Sequence, residues 1–211
     1  AKELFDQQAF QEAADICNSI LKSNPRESET LHLLGIICLM SEQFENAERL
    51  LLKATSAKTD FAEAYFNLGI VLAKQRKLKE AEKAYRKAIK HDPQNVDFVN
   101  NLANLLSNAG NNNEAVTLFK KALNISPNHV NILTNYSATL NAQGEFEAAI
   151  DTGLKAITIQ PDFTDAYNNL GNAYLSAGKL SEAIINLKKA VELQPLNARA
   201  HNNLGNALLD T

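Results

Sequence analysis

The chain has 211 residues, of which 45% are hydrophobic and 21% charged, with a formal net charge of -3. This composition is ordinary for a globular protein, and the slightly negative charge argues against nucleic acid as a partner. No segment approaches the 18 or more apolar residues of a membrane span, and we expect no membrane partner. The two cysteines are too few for a disulfide framework and favour a reducing, cytoplasmic location.

Prolines recur along the chain at intervals of 34 residues, with Thr59 at the one position that lacks proline. A period sustained in this way indicates a repeat array. The prolines are Pro25, Pro93, Pro127, Pro161 and Pro195. We divide the chain into full repeats at 28–61, 62–95, 96–129, 130–163 and 164–197, with partial repeats at 1–27 and 198–211. Because neither end completes a repeat with a polar capping element, we expect a single array that is a fragment of a longer chain.

In chain order, residues 1–27 are the end of one repeat. Each full repeat that follows is predicted to form two helices. In repeat 62–95 the first helix has apolar residues at i, i+3, i+4 and i+7, and a polar break follows at Arg76 and Lys77. The second helix ends before Pro93. The residues that carry this spacing are Tyr65, Leu68, Gly69, Leu72, Ala81, Tyr85 and Ala88. Glycines suited to a turn occupy the corresponding break in later repeats, at Gly110, Gly144 and Gly178.

Small residues share one position of the first helix, where they allow the two helices of a repeat to approach closely. They are Gly35, Gly69, Ala103, Ser137, Gly171 and Gly205. Gly153 is out of place, because its equivalents in the second helices are large: Leu51, Tyr85, Phe119 and Leu187. We predict a packing defect at Gly153, where either a small cavity remains or a neighbour such as Tyr174 moves in. Gly153→Ala should raise the melting temperature if helicity and space both favour it.

One repeat shows a recognisable combination of these residues: Tyr167, Leu170, Gly171, Tyr174, Ala183, Leu187, Ala190 and Pro195. The combination resembles the signature of the tetratricopeptide repeat, and it recurs with small lapses along the whole chain. The resemblance implies an all-α fold, a right-handed superhelical solenoid of stacked antiparallel helix pairs. It also implies a concave groove, lined by the first helices, that binds peptides or proteins.

The residues that could support catalysis form no constellation. No two of the four histidines have the i, i+4 spacing of a zinc-binding helix. Cys17 and Cys38 occupy core positions of the repeat, where a free thiol usually serves packing. We therefore predict no catalytic residue, no metal site and no cofactor, and we expect a protein that is not an enzyme.

Asparagines share the sixth position of successive repeats: Asn67, Asn101, Asn135, Asn169 and Asn203. Asparagine is not a favoured residue inside a helix, so its recurrence needs a reason. A carboxamide donates and accepts hydrogen bonds and can therefore pair with a peptide backbone. The series resembles the asparagine ladder in the repeats of O-linked N-acetylglucosamine transferase, with Leu33 as a departure. The alternative is that each amide binds a neighbouring helix, or that the residue is inherited by duplication.

Neighbouring positions complete the predicted peptide-binding site. The fifth position supplies Asn100, Asn168 and Phe66, and the ninth supplies Asn104, Asn172 and Ile70. Apolar residues concentrate at the N-terminal end of the groove. They indicate either an anchor pocket or a surface that a further N-terminal repeat or a partner subunit covers.

The leading functional hypothesis is a protein-interaction scaffold that binds an extended peptide or protein segment in the concave groove. One alternative is a substrate-recruiting module of a larger glycosyl-, sulfo- or methyltransferase. The other is a structural scaffold that self-associates through the ends of the array.

Overall fold

A computed structural model describes residues 1–209, and every regular element in that range is an α-helix. The helices are α1 (Lys2–Asp6), α2 (Phe10–Ser23), α3 (Ser28–Met40), α4 (Phe44–Ala57), α5 (Ala62–Lys74), α6 (Leu78–His91), α7 (Val96–Asn108), α8 (Asn112–Ile125), α9 (Val130–Ala142), α10 (Phe146–Ile159), α11 (Thr164–Ser176), α12 (Leu180–Leu193) and α13 (Ala198–Leu209). The predicted all-α class of paired helices is confirmed. No helix of the described range is long and apolar enough to cross a membrane.

The helices alternate between two lengths. From α3 to α12, the first helix of each pair has 13 residues and the second has 14. Each second helix ends two residues before the position that usually holds proline, since proline disfavours helical geometry in the residue that precedes it. The first helices α3, α5, α7, α9, α11 and α13 begin at intervals of 34 residues, at Ser28, Ala62, Val96, Val130, Thr164 and Ala198.

The chain divides into two compact units, one of residues Ala1–Leu105 and one that begins at Leu106. In the first unit α3 packs against α4, α4 against α5, and α5 against α6. In the second unit the same sequence of contacts runs from α9 to α13, and first helices also contact each other, α9 with α11 and α11 with α13. A single helix pair exposes an apolar face, which the next pair covers.

The core of the first unit is built from both helices of successive pairs. Leu31 and Leu34 of α3 pack with Leu50 of α4, with Phe61 and with Cys17. Cys17 is fully buried, and burial raises the pKa of its thiol. The thiol therefore stays protonated near neutral pH, as expected of a cysteine that serves packing.

Gly153 does not leave the packing defect that its sequence position predicts. A Cβ atom built on Gly153 would lie 3.1 Å from Leu170 Cδ1 and 3.3 Å from Ser137 Oγ. The space is thus filled by Leu170 and Ser137. The expected cavity is absent, and a neighbouring side chain fills the site as the alternative expected, although it is Leu170 and not Tyr174. Leu170 reaches Gly153 because it is fully buried on α11, which packs directly against α10.

Candidate functional site

The five asparagines of the sixth position lie on the first helices α5, α7, α9, α11 and α13, and all are partly buried. In a partly buried carboxamide, the nitrogen or the oxygen can bond within the protein while the other atom remains open to a ligand. The hydrogen bonds of each asparagine show which atom is engaged. Asn67 and Asn101 belong to the first unit, and Asn135, Asn169 and Asn203 belong to the second.

In the first unit, Asn67 pairs with the preceding first helix. Its Nδ2 lies 2.8 Å from His32 Nε2. Because an amide nitrogen only donates, His32 Nε2 accepts, and the ring proton must sit on Nδ1. Burial lowers the pKa of His32, although the nearby Glu63 and Glu29 act in the opposite direction. The imidazole is therefore neutral near pH 7, which the hydrogen bond with Asn67 requires.

Asn101 makes a different bond. Its Nδ2 donates to the backbone carbonyl of Asp97, one turn earlier on α7, at 2.9 Å. This is a local bond that a polar side chain inside a helix often forms with its own backbone. It holds the amide against the surface of α7 and does not join two helices.

In the second unit, two asparagines reach back to the preceding first helix. Asn169 Nδ2 donates to the carbonyl of Thr134 at 3.2 Å, and Asn203 Nδ2 donates to Asn168 Oδ1 at 2.9 Å. Both bonds run from a sixth position to the fifth position of the previous repeat, as the bond from Asn67 does. Asn135 lies on α9, where its backbone carbonyl accepts a hydrogen bond from Thr139 Oγ1 at 2.9 Å.

These bonds correct one expectation about the amides. The nitrogens of four asparagines are engaged within the protein, so they are not reserved for a ligand. The carboxamide oxygens of the same four accept no hydrogen bond from residues 1–209. In each of the four, the hydrogen bond of the nitrogen fixes the orientation of the carboxamide, and the oxygen is left as an acceptor. The four are Asn67, Asn101, Asn169 and Asn203.

The fifth position lies deeper than the sequence suggests. Asn100 is 8% exposed and Asn168 is 1% exposed, so both offer little surface to a ligand. Phe66 is partly buried, and its ring centroid lies 4.7 Å from that of Phe98, with the two rings tilted by 31°. Phe66 and Asn168 also contact the following first helix, through Phe98 and Asn203 respectively.

The ninth position remains accessible. Ile70, Asn104 and Asn172 are partly exposed on α5, α7 and α11. Sequence reasoning missed the contribution of His32 and Thr134, which hold the asparagines of the following repeats. The sequence signal that could have found His32 and Thr134 is a spacing. Each lies at the fifth position of its repeat, 35 residues before the asparagine at the sixth position of the next repeat. No group of three or more histidine, cysteine or acidic residues in the described range could hold a metal ion.

The helix pairs and the recurring polar face define a helical-repeat protein. Two sequence models described as tetratricopeptide repeat match residues 62–95, 84–117 and 118–151, and one described as TPR repeat matches residues 139–178 and 171–211. Together these matches span residues 62–211, well over half of the chain. The chain belongs to the tetratricopeptide repeat family.

Three solved structures align with this chain over most of its length. YrrB, described as a TPR protein with an unusual peptide-binding site, aligns with a TM-score of 0.72 at 21% identity over 90% of this chain and 97% of its own. PilW, a type IV pilus biogenesis factor, aligns with a TM-score of 0.75 at 20% identity over 86% and 87%. MamA from Desulfovibrio magneticus RS-1 aligns with a TM-score of 0.63 at 26% identity over 71% and 84%. Curated protein sequences give no match.

Proposed function

We propose that this chain is a protein-interaction scaffold that binds an extended peptide along its first helices. The observation that carries the proposal is the set of carboxamide oxygens at the sixth position that accept no hydrogen bond within the described residues. Each of these carboxamides is held in place by the hydrogen bond of its nitrogen, and its oxygen can accept a hydrogen bond from a partner. An extended peptide backbone presents N–H donors that suit such acceptors.

In the proposed complex, backbone N–H groups of a peptide donate to the oxygens of sixth-position asparagines. These are Asn67 and Asn101 in the first unit, or Asn169 and Asn203 in the second. The ninth-position residues Asn104 and Asn172 lie three residues further along the same helices, where they add polar contacts, and Ile70 adds an apolar one. Contacts to the backbone tolerate many ligand sequences, as in the asparagine ladder that the series resembles. The peptide-binding site in the description of YrrB supports a similar role here.

This role is a binding role and involves no chemical step. It would serve a scaffold that acts alone and equally a recruiting module within a larger transferase. The test is therefore made on binding itself and not on any activity.

We predict that the triple variant Asn101→Ala, Asn135→Ala, Asn169→Ala loses peptide affinity by about tenfold or more, since each hydrogen bond contributes roughly 0.5–1.5 kcal/mol. The probe is the strongest binder from an array of random twelve-residue peptides, measured by calorimetric titration. Thermal melts of the same variant separate lost contacts from lost structure, and light scattering monitors self-association.

The matched control replaces three asparagines of second helices, Asn46, Asn124 and Asn186, by alanine. It makes the same chemical change away from the proposed face, and we expect its affinity to equal that of the wild type. A folded first-helix variant that binds as well as the wild type would overturn the proposal. The same holds if both triple variants lose affinity equally.

A further inference from the structure

A cavity of about 670 Å³ lies in the first unit beside His32 and the first turns of α3 and α5. Its walls carry apolar side chains from four parts of the unit. They are Phe5, Ile20, Leu33, Ile36 and Phe61. Leu33 and Ile36 occupy the sixth and ninth positions of their repeat, so the cavity continues the proposed peptide-binding face at the repeat that lacks the asparagine.

The charged groups that line this cavity are unbalanced. Four carboxylates face one cationic side chain, that of Lys2. Glu27 is engaged in capping α3, and its hydrogen bond with Thr30 lowers the pKa of the carboxyl. The carboxylates are those of Asp6, Glu27, Glu29 and Glu63.

Two of these carboxylates are available to a ligand. Glu29 and Glu63 are exposed, and their side chains form no hydrogen bond or ion pair within residues 1–209. Both lie in the first turn of a helix, on α3 and α5, which pack side by side. The neighbouring His32 is neutral near pH 7, because burial lowers the pKa of its imidazole. It therefore adds no positive charge that would oppose a cation.

We propose that this cavity binds an arginine or lysine side chain of the peptide ligand, an inference that rests on the proposed function. The aliphatic stem of such a residue packs on apolar walls while its head group stays at the polar rim. The rim here is anionic, and Glu29 and Glu63 provide carboxylates for charge-assisted hydrogen bonds. An acidic side chain or an anionic lipid would meet the same carboxylates with repulsion.

The experiment compares two blocked nine-residue peptides of alanine and serine that differ only at the central residue. One carries arginine and the other citrulline, which has the same shape without the charge. Binding is followed by NMR at millimolar peptide, through the methyl signals of Leu33 and Ile36 and the ring signals of His32. We expect affinity for the arginine peptide to be about fivefold higher, the effect of two exposed ion pairs.

The double variant Glu29→Gln, Glu63→Gln should bind both peptides equally. The matched control is Glu12→Gln, Glu45→Gln, which removes two exposed first-turn carboxylates of the same unit that do not line the cavity. We expect the control to keep the preference for arginine.

Equal affinity of the wild type for both peptides would overturn the assignment of a cationic ligand, and so would an equal loss of preference in both double variants. An absence of shifts at Leu33, Ile36 and His32 with either peptide would overturn it as well. Failure of the proposed function is seen separately, in the unchanged affinity of the asparagine triple variant.

Discussion

At the scale of single residues, close helix contact depends on a pairing of one small and one large side chain. A Cβ atom on Gly69 would lie 2.5 Å from Tyr85 Cε1, and one on Gly171 would lie 2.5 Å from Leu187 Cγ. Real Cβ atoms do not approach other atoms so closely. The glycine of the first helix is thus required by the large residue of the second.

The pair formed by Ser137 and Gly153 reverses these sizes. Ser137 takes the position of the small residue, and its hydroxyl donates to the carbonyl of Ala149 at 2.7 Å. Gly153 takes the position that is large elsewhere, and Leu170 of the next first helix fills the remaining space. The pair stays close although Gly153 departs from the repeat pattern, in which its position is large.

We predict that Gly171→Ala lowers the free energy of unfolding by about 1–3 kcal/mol, the usual result of overpacking a core. Gly153→Ala should change it by less than about 1 kcal/mol, because the gain in helix propensity offsets the tight contact with Leu170. Urea unfolding of both variants measures the difference. A loss for Gly153→Ala as large as that for Gly171→Ala would show that the size reversal has no role in packing.

At the scale of elements, the turn within each helix pair contains one residue in the left-handed backbone conformation. Gly110, Gly144 and Gly178 have φ values of 82°, 84° and 72°. The same position holds Gln8, Glu42 and Arg76 in the first unit, with φ values of 62°, 56° and 63°. The turn geometry is therefore imposed by the two helices it joins, and glycine reduces the strain where it occurs.

We predict that Gly144→Ala lowers the melting temperature, since an L-residue in this conformation costs roughly 1 kcal/mol or more. A Cβ atom on Gly144 would meet no atom within 4 Å, so the loss would be one of backbone strain alone. Gly205→Ala is the matched control, because Gly205 has equally open surroundings but lies within α13. Alanine is the better helix former there, so the control should not lose stability. Equal melting temperatures for the two variants would contradict this explanation.

At the scale of the whole molecule, consecutive helices pack against each other within each unit, from α3 to α6 in the first and from α9 to α13 in the second. Repeat proteins built in this way have a stability that is approximately a sum of local terms. A defect in one pair should therefore be felt most by the helices that touch it.

We predict that Leu187→Ala, which removes a fully buried side chain, costs about 2–5 kcal/mol. Hydrogen exchange followed by mass spectrometry should show faster exchange mainly in α11, α12 and α13, with α3 to α6 of the first unit least affected. A uniform rise in exchange along the chain would contradict local stability.

The sequence by itself determined the helix pairs and their register. The 34-residue period, the prolines after second helices and the small residues at helix contacts are local signals, and each recurs often enough to be read without tertiary information. The candidate site was predictable in part: the sixth and ninth positions do lie at the surface of the first helices, where the asparagines were expected.

Only the tertiary structure decided which atoms of those asparagines are available. For Asn67, Asn169 and Asn203, the partner of the amide nitrogen lies 35 residues earlier. It changes from an imidazole at His32 to a carbonyl at Thr134 and a carboxamide at Asn168. The burial of position five and the filling of the space at Gly153 likewise depend on side chains of the next repeat. The 35-residue spacing marks which positions can meet, but the atoms that pair are decided only when one repeat packs against another.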